Sequence, residues 1–116
     1  MTTVLLVEDN DDVRDMMSTA LQLAGKRVLT AANGREALAV LARTQPCVII
    51  LDLMMPVMNG WELRAALKRD PSLSTIPVIV VSALTEELVS RIGATEYLEK
   101  PVDIDRLIET VCELCH

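Results

Sequence analysis

Short apolar runs alternate along the chain with longer stretches whose apolar residues recur at three- and four-residue steps. Residues 3–7, 27–31, 47–51, 76–81 and 95–98 read as strands, the third being the most continuous and therefore central. Val13, Met16, Met17, Ala20, Leu21 and Ala24 mark a first helix, with Gly25 as its stop. Asn33 reads as an N-cap ahead of the stripe Ala37, Leu38, Leu41 and Ala42, and Pro46 breaks that helix. A loop over 52–60, punctuated by Pro56 and Asn59–Gly60, leads to a helix over 61–68. A turn around Asp70, Pro71, Ser72 and Ser74 follows. A short helix is expected over 85–91, and Ile104, Leu107, Ile108, Val111 and Cys115 mark the last one. Strict alternation predicts an α/β fold: a five-stranded parallel sheet with helices on both faces and right-handed crossovers. One common strand order for this class is 2-1-3-4-5.

Several of these apolar runs end on polar residues of suggestive type. The first runs into Glu8 and Asp9, the third into Asp52, the fourth into Ser82, and the fifth into Glu99, Lys100 and Pro101. Ligands of such sheets bind beyond the carboxyl ends of the strands. The order 2-1-3-4-5 would flank Asp52 with Glu8 and Asp9 on one side and Ser82 on the other, with Lys100 further along. Carboxylates suit a hard divalent cation, and an ionised Asp52 can attack phosphorus. Lys100 and the Ser82 hydroxyl could hold other phosphoryl oxygens. Singly, each residue has an ordinary explanation: an N-cap for Asp52, a turn for Ser82, a solvated side chain for Lys100. The combination at strand ends points to a cation plus a phosphoryl group.

Composition narrows the class. The chain has 116 residues, 51% of them hydrophobic, which suits one domain over 1–116 with an adequate core. No apolar stretch is long enough to span a bilayer, so no membrane insertion is expected. No charged-then-apolar leader opens the chain, so a soluble cytoplasmic protein is expected. A net charge of −6 argues against direct nucleic-acid binding. Asp11, Asp12 and Asp15 are explained as favourable charges at a helix start, whereas Glu8 and Asp9 are not.

Three cysteines in a cytoplasmic chain are expected to be reduced, with Cys47 a small core residue and Cys115 on the apolar face of the last helix. Cys112, Cys115 and His116 match the spacing of a haem-attachment motif, but without an export signal. A helix C-terminus also disfavours the thiolate of a redox pair, and a zinc site would need a fourth ligand from elsewhere. Met54, Met55 and Met58 belong to the loop after Asp52, and Trp61 is expected to pack partly against that loop.

The run 4–10 (VLLVEDN), then 51–56 (LDLMMP) with Asn59–Gly60, then 81–83 (VSA) and finally Lys100–Pro101 resembles a response-regulator receiver domain over essentially the whole chain. The resemblance implies that Asp52 is the phosphoacceptor. Asp9 and Asp52 would bind Mg²⁺ directly, Met54 through its backbone carbonyl, and Glu8 through water. Ser82 and Lys100 would contact the phosphoryl group, beside a small Ala83. It implies a cis Lys100–Pro101 bond and a switch role for Ser82 and Tyr97. The implied partners are a sensor histidine kinase or histidine phosphotransfer protein and a downstream effector protein, with a homodimer left open. Such a module takes up phosphate and loses it slowly, without enzymatic turnover.

Two departures stand out. Glu8 replaces the commoner Asp, and 18 positions separate Ser82 from Lys100, about one helical turn fewer than usual. The fourth helix, over 85–91, is therefore shortened, which leaves a phosphorylation-independent docking module with a modified helix face as the alternative. An aspartyl-phosphate phosphatase would carry a second Asp where Met54 stands.

Overall fold

The structure is a computed structural model that describes residues 2–84 and 92–115. The expected helix over 85–91 lies outside the described residues. Strands β1 (Thr3–Val7), β2 (Arg27–Ala31), β3 (Val48–Asp52), β4 (Val78–Ser82) and β5 (Glu96–Glu99) form one parallel sheet in the order 2-1-3-4-5, as expected. The helices are α1 (Asp11–Leu23), α2 (Gly34–Leu41), α3 (Gly60–Arg69) and the last helix, α4 (Ile104–Leu114).

Strand side chains alternate between two faces, and the core divides accordingly. Leu5, Val7, Ile49, Leu51, Val78 and Val80 face α2 and α3, packing with Ala37, Leu41, Leu63 and Leu67. Val4, Leu6, Val48, Ile50, Ile79 and Val81 face α1 and α4, packing with Met17, Leu21, Leu107 and Val111. All five residues of β3 are buried, as the continuous run predicted. Fully burying one such Ile or Leu contributes about 1.5–3 kcal/mol. The edge strand β2 is only partly covered, which is why its pattern was weaker.

Local chemistry sets the helix ends. The Asn10, Asn33 and Asn59 side chains accept the backbone N–H groups of Val13, Glu36 and Glu62, and Glu62 completes a capping box on Asn59. Gly25, at φ +87°, ends α1 with N–H bonds from Gly25 to the Gln22 carbonyl and from Lys26 to the Leu21 carbonyl. Arg64 of α3 donates to the carbonyls of Ile92 and Gly93 at 3.3 and 2.9 Å, fastening the chain ahead of β5. The Lys100–Pro101 peptide is cis, as the resemblance implied.

Cys115 lies in the apolar layer with Leu107 and Val111 as expected, but the expectation of three reduced thiols is overturned. Cys47 and Cys115 form a disulfide across 68 positions of sequence, and Cys112 is the free cysteine among the described residues. The last helix returns toward the amino-terminal edge of the sheet and ends beside the start of β3. Spacing along the chain carries no trace of that meeting. In chain-entropy terms a link closing a loop of this length stabilises by about 4 kcal/mol.

Gly60 starts α3 where a Cβ would lie 2.7 Å from the Asp52 carbonyl oxygen and 2.7 Å from Leu53 Cα. These are backbone atoms, so a side chain there forces the loop after Asp52 away from α3. Gly60→Ala is expected to destabilise by about 1–3 kcal/mol, read as a lower urea midpoint with unchanged slope.

Candidate functional site

Strand parity aims the site residues. Glu8, Asp52 and Lys100 continue the face of β1, β3 and β5 that packs on α1 and α4, whereas Ser82 has the opposite parity. The structure brings the predicted group together at the carboxyl edge of the sheet. One carboxylate oxygen from each of Glu8, Asp9 and Asp52 lies within 4.8 Å of the others. Glu8 and Asp52 are buried, at 2% and 5% exposure, while Asp9 is exposed. Lys100 Nζ reaches Glu8 Oε1 at 2.8 Å and Asp52 Oδ2 at 3.6 Å. Its backbone N–H donates to the Ser82 carbonyl at 2.8 Å, which fixes the start of that reach.

Backbone donors complete the pocket. Asn10 N–H donates to Glu8 Oε2 and Met54 N–H to Asp52 Oδ1, each at 3.3 Å. The Met54 side chain is exposed. Ser82 is buried, and its Oγ accepts Leu84 N–H at 3.1 Å. The Tyr97 hydroxyl donates to the Leu84 carbonyl, so Tyr97 is half-buried with its hydroxyl engaged rather than turned to water. Trp61 is partly exposed beside the loop that follows Asp52. An apolar depression of about 520 Å³ opens beside Lys100, lined by Val13, Met16, Ala83, Pro101 and Val102.

Arg14 is a member of this neighbourhood that pattern reading passed over. It donates to the Glu8 backbone carbonyl at 2.9 Å and pairs with Asp11. The only signal was a lone cation among acids at the start of α1.

The electrostatics are lopsided. Burial, then the hydrogen bond and charge of Glu8, push Asp52 up to about 7 against the pull of Lys100 and Met54 N–H. Burial also opposes the Glu8 charge, but hydrogen bonds from Lys100 and Asp52 outweigh it and hold Glu8 below its ordinary value. Burial likewise opposes the Lys100 charge, but its Glu8 hydrogen bond and the two nearby carboxylates hold it above. One ammonium thus faces two buried carboxylates, and the surplus negative charge is relieved by a proton on Asp52. A hard divalent cation fits this set: the donors are oxygens, and it would take the place of that proton.

The response regulator receiver domain profile matches residues 4–112. The chain is 34% identical over 115 residues to the protein PilH of Pseudomonas aeruginosa, covering 96% of this chain and 95% of that one. It is 33% identical to the polar-differentiation response regulator DivK of Brucella anthropi, covering 94% and 92%. Its fold superimposes on the chemotaxis response regulator CheY4 of Vibrio cholerae with a TM-score of 0.90 at 36% identity, covering 98% of each chain. The chain belongs to the response regulator receiver domain family of two-component signalling. Its members are signalling modules rather than turnover enzymes. Among the described residues no helix is long and apolar enough to cross a membrane.

The Asp52 proton makes stability depend on pH. Asp52 keeps that proton to about pH 7 when folded but loses it near 3.8 when unfolded. Between these values the folded chain binds more protons, so its metal-free stability falls as pH rises, by at most about 1.4 kcal/mol per unit. Glu8, held below its ordinary 4.5, works the other way and only at the acid end. Urea unfolding in chelator from about pH 5 to about pH 8 checks the slope. Asp52→Asn is expected to flatten it, and a rising slope in the native chain would contradict the assignment.

Proposed function

We propose that this chain is the phosphoacceptor module of a two-component or phosphorelay system. Asp52 takes a phosphoryl group from the phosphohistidine of a sensor histidine kinase or histidine phosphotransfer protein, and the modified domain controls a downstream effector protein. The observation that carries this reading is the convergence of Lys100 on Glu8 and Asp52, at 2.8 and 3.6 Å. A single ammonium held near Asp52 from the end of β5 supports this reading, because it would meet an arriving phosphoryl oxygen.

An Asp52 carboxylate oxygen attacks phosphorus, the phosphorus–nitrogen bond breaks, and the imidazole leaves with the electron pair and takes up a proton. Lys100 offsets charge on one phosphoryl oxygen. Ser82 Oγ accepts Leu84 N–H and keeps its own proton to donate to another oxygen. Asp9 and Asp52, the Met54 carbonyl and, through water, Glu8 would hold Mg²⁺, which when bound neutralises the remaining oxygen charge.

Ser82 and Tyr97 meet the same residue, Leu84, at its N–H and its carbonyl. Drawing Ser82 toward the phosphoryl group pulls on Leu84 and so on the Tyr97 hydroxyl. This supports the pair as the switch that carries the change outward.

Incubation with a labelled small acyl phosphate and Mg²⁺ is expected to label the native chain and to leave Asp52→Asn at background. Lys100→Ala should slow labelling about 100-fold or more, the scale of one lost charge-stabilising donor. Mg²⁺-dependent labelling that persists in Asp52→Asn would remove the proposal.

A further inference from the structure

We infer that Cys47 and Cys115 are a thiol–disulfide modification site, opened and closed by small thiols and disulfides of the glutathione class, that fastens the end of α4 to the start of β3. The two sulfurs are bonded, with Cα atoms 5.7 Å apart and 68 positions of sequence between them. Cys47 N–H donates to the Thr3 carbonyl at 2.9 Å, so its backbone is fixed at the amino-terminal edge of the sheet. Cys115 packs in the layer that holds Val4, Val48, Leu107 and Val111. Nothing in the phosphoacceptor chemistry uses this bond. Five strand residues at about 3.3 Å each place it roughly 16 Å from Asp52.

Exposure decides how the bond can be reached. Cys115 is 6% exposed, whereas Cys47 is only half-buried, so the Cys47 side of the bond is the one a small reagent approaches more readily. A glutathione thiolate attacks Cys47 Sγ, the sulfur–sulfur bond breaks, and Cys115 leaves as a thiolate that takes up a proton. A second glutathione thiolate then attacks the mixed disulfide. Cys47 is released as a thiolate and protonated, while oxidised glutathione carries away two electrons fewer than the pair of thiols brought. The reverse sequence closes the bond.

Cys115 contributes to one apolar layer, but most of that layer comes from other side chains, and Leu107 and Val111 hold α4 to the sheet. Opening the bond therefore loosens the last turn of α4 while leaving the domain folded. A cystine with one half-exposed partner is the kind that exchanges with small thiols rather than resisting them.

The test equilibrates the native chain in reduced and oxidised glutathione mixtures, then alkylates it and weighs it. One alkylated thiol, Cys112, is expected at the oxidising end and three at the reducing end. Peptide mapping should join Cys47 to Cys115. The oxidised form should melt about 10 °C or more higher, and hydrogen exchange should quicken at 112–115 on reduction. Cys112→Ser should keep this redox dependence and Cys47→Ser should lose it. Reversible reduction of the native chain gives the same comparison if the second variant folds poorly. Labelling of Asp52 by the small acyl phosphate should survive in both states. Three alkylated thiols in every mixture, a map joining Cys112 to Cys115, or a bond that no mixture opens in the folded chain would each overturn the inference.

Discussion

Two carboxylates buried against each other, with one ammonium between them, are the constraint on which the site rests. Glu8 and Asp52 come from neighbouring strands, β1 and β3, and strand parity turns both to the same face. Lys100 arrives from beyond β5 and must reach past β4 to meet them. That reach depends on the Lys100 N–H being held by the Ser82 carbonyl at the end of β4. A strand order that separated β1 from β3 would leave each carboxylate buried alone, which costs several kcal/mol per charge. The charge imbalance is therefore a consequence of topology. Asp52 bears its cost as a proton retained to about pH 7.

Much of this was legible in the chain because apolar periodicity and strand ends are local signals. β1 and β2 coincide with the expected 3–7 and 27–31. β3, β4 and β5 extend one residue further than expected, to Asp52, Ser82 and Glu99, because ladder pairing continues past the last apolar side chain. Glu8, Asp9, Asp52, Ser82 and Lys100 could be gathered on paper from strand order alone, and the structure places them at one edge. Pairings between distant segments were not legible. Arg14 on the Glu8 carbonyl, Tyr97 on the Leu84 carbonyl and Cys47 on Cys115 each depend on where a helix or loop returns in space. Neither residue type nor spacing records that. The expectation of three reduced thiols failed for the same reason, compounded by an assumed reducing compartment.

The sheet has two ends with different chemistries, and β3 joins them. Its carboxyl end presents the proposed phosphoacceptor, and its amino end follows directly on Cys47. α4 spans the same two ends in the opposite sense: it begins just after Lys100–Pro101 and ends at the cystine. The strand is rigid because all five of its residues are buried and its middle three, Ile49, Ile50 and Leu51, are paired on both sides. α4 is held by one apolar stripe and by its far-end link, so it is the element of this pair that can respond to either end.

This arrangement also weighs against a module that docks without phosphorylation. Docking requires a surface, and a surface can be built from exposed side chains at no cost to the core. Here the chain instead buries two carboxylates where one ammonium cannot neutralise both, which destabilises the fold as Asp52 ionises. Replacing either acid by an apolar residue of similar volume would relieve that cost without disturbing any outward face. A strained electrostatic arrangement placed at the open edge of an otherwise well-packed sheet makes physical sense when a cationic ligand and a transferable group complete it. The Asp52 carboxyl, pushed up by burial and by the neighbouring Glu8, marks the place that such a ligand would fill.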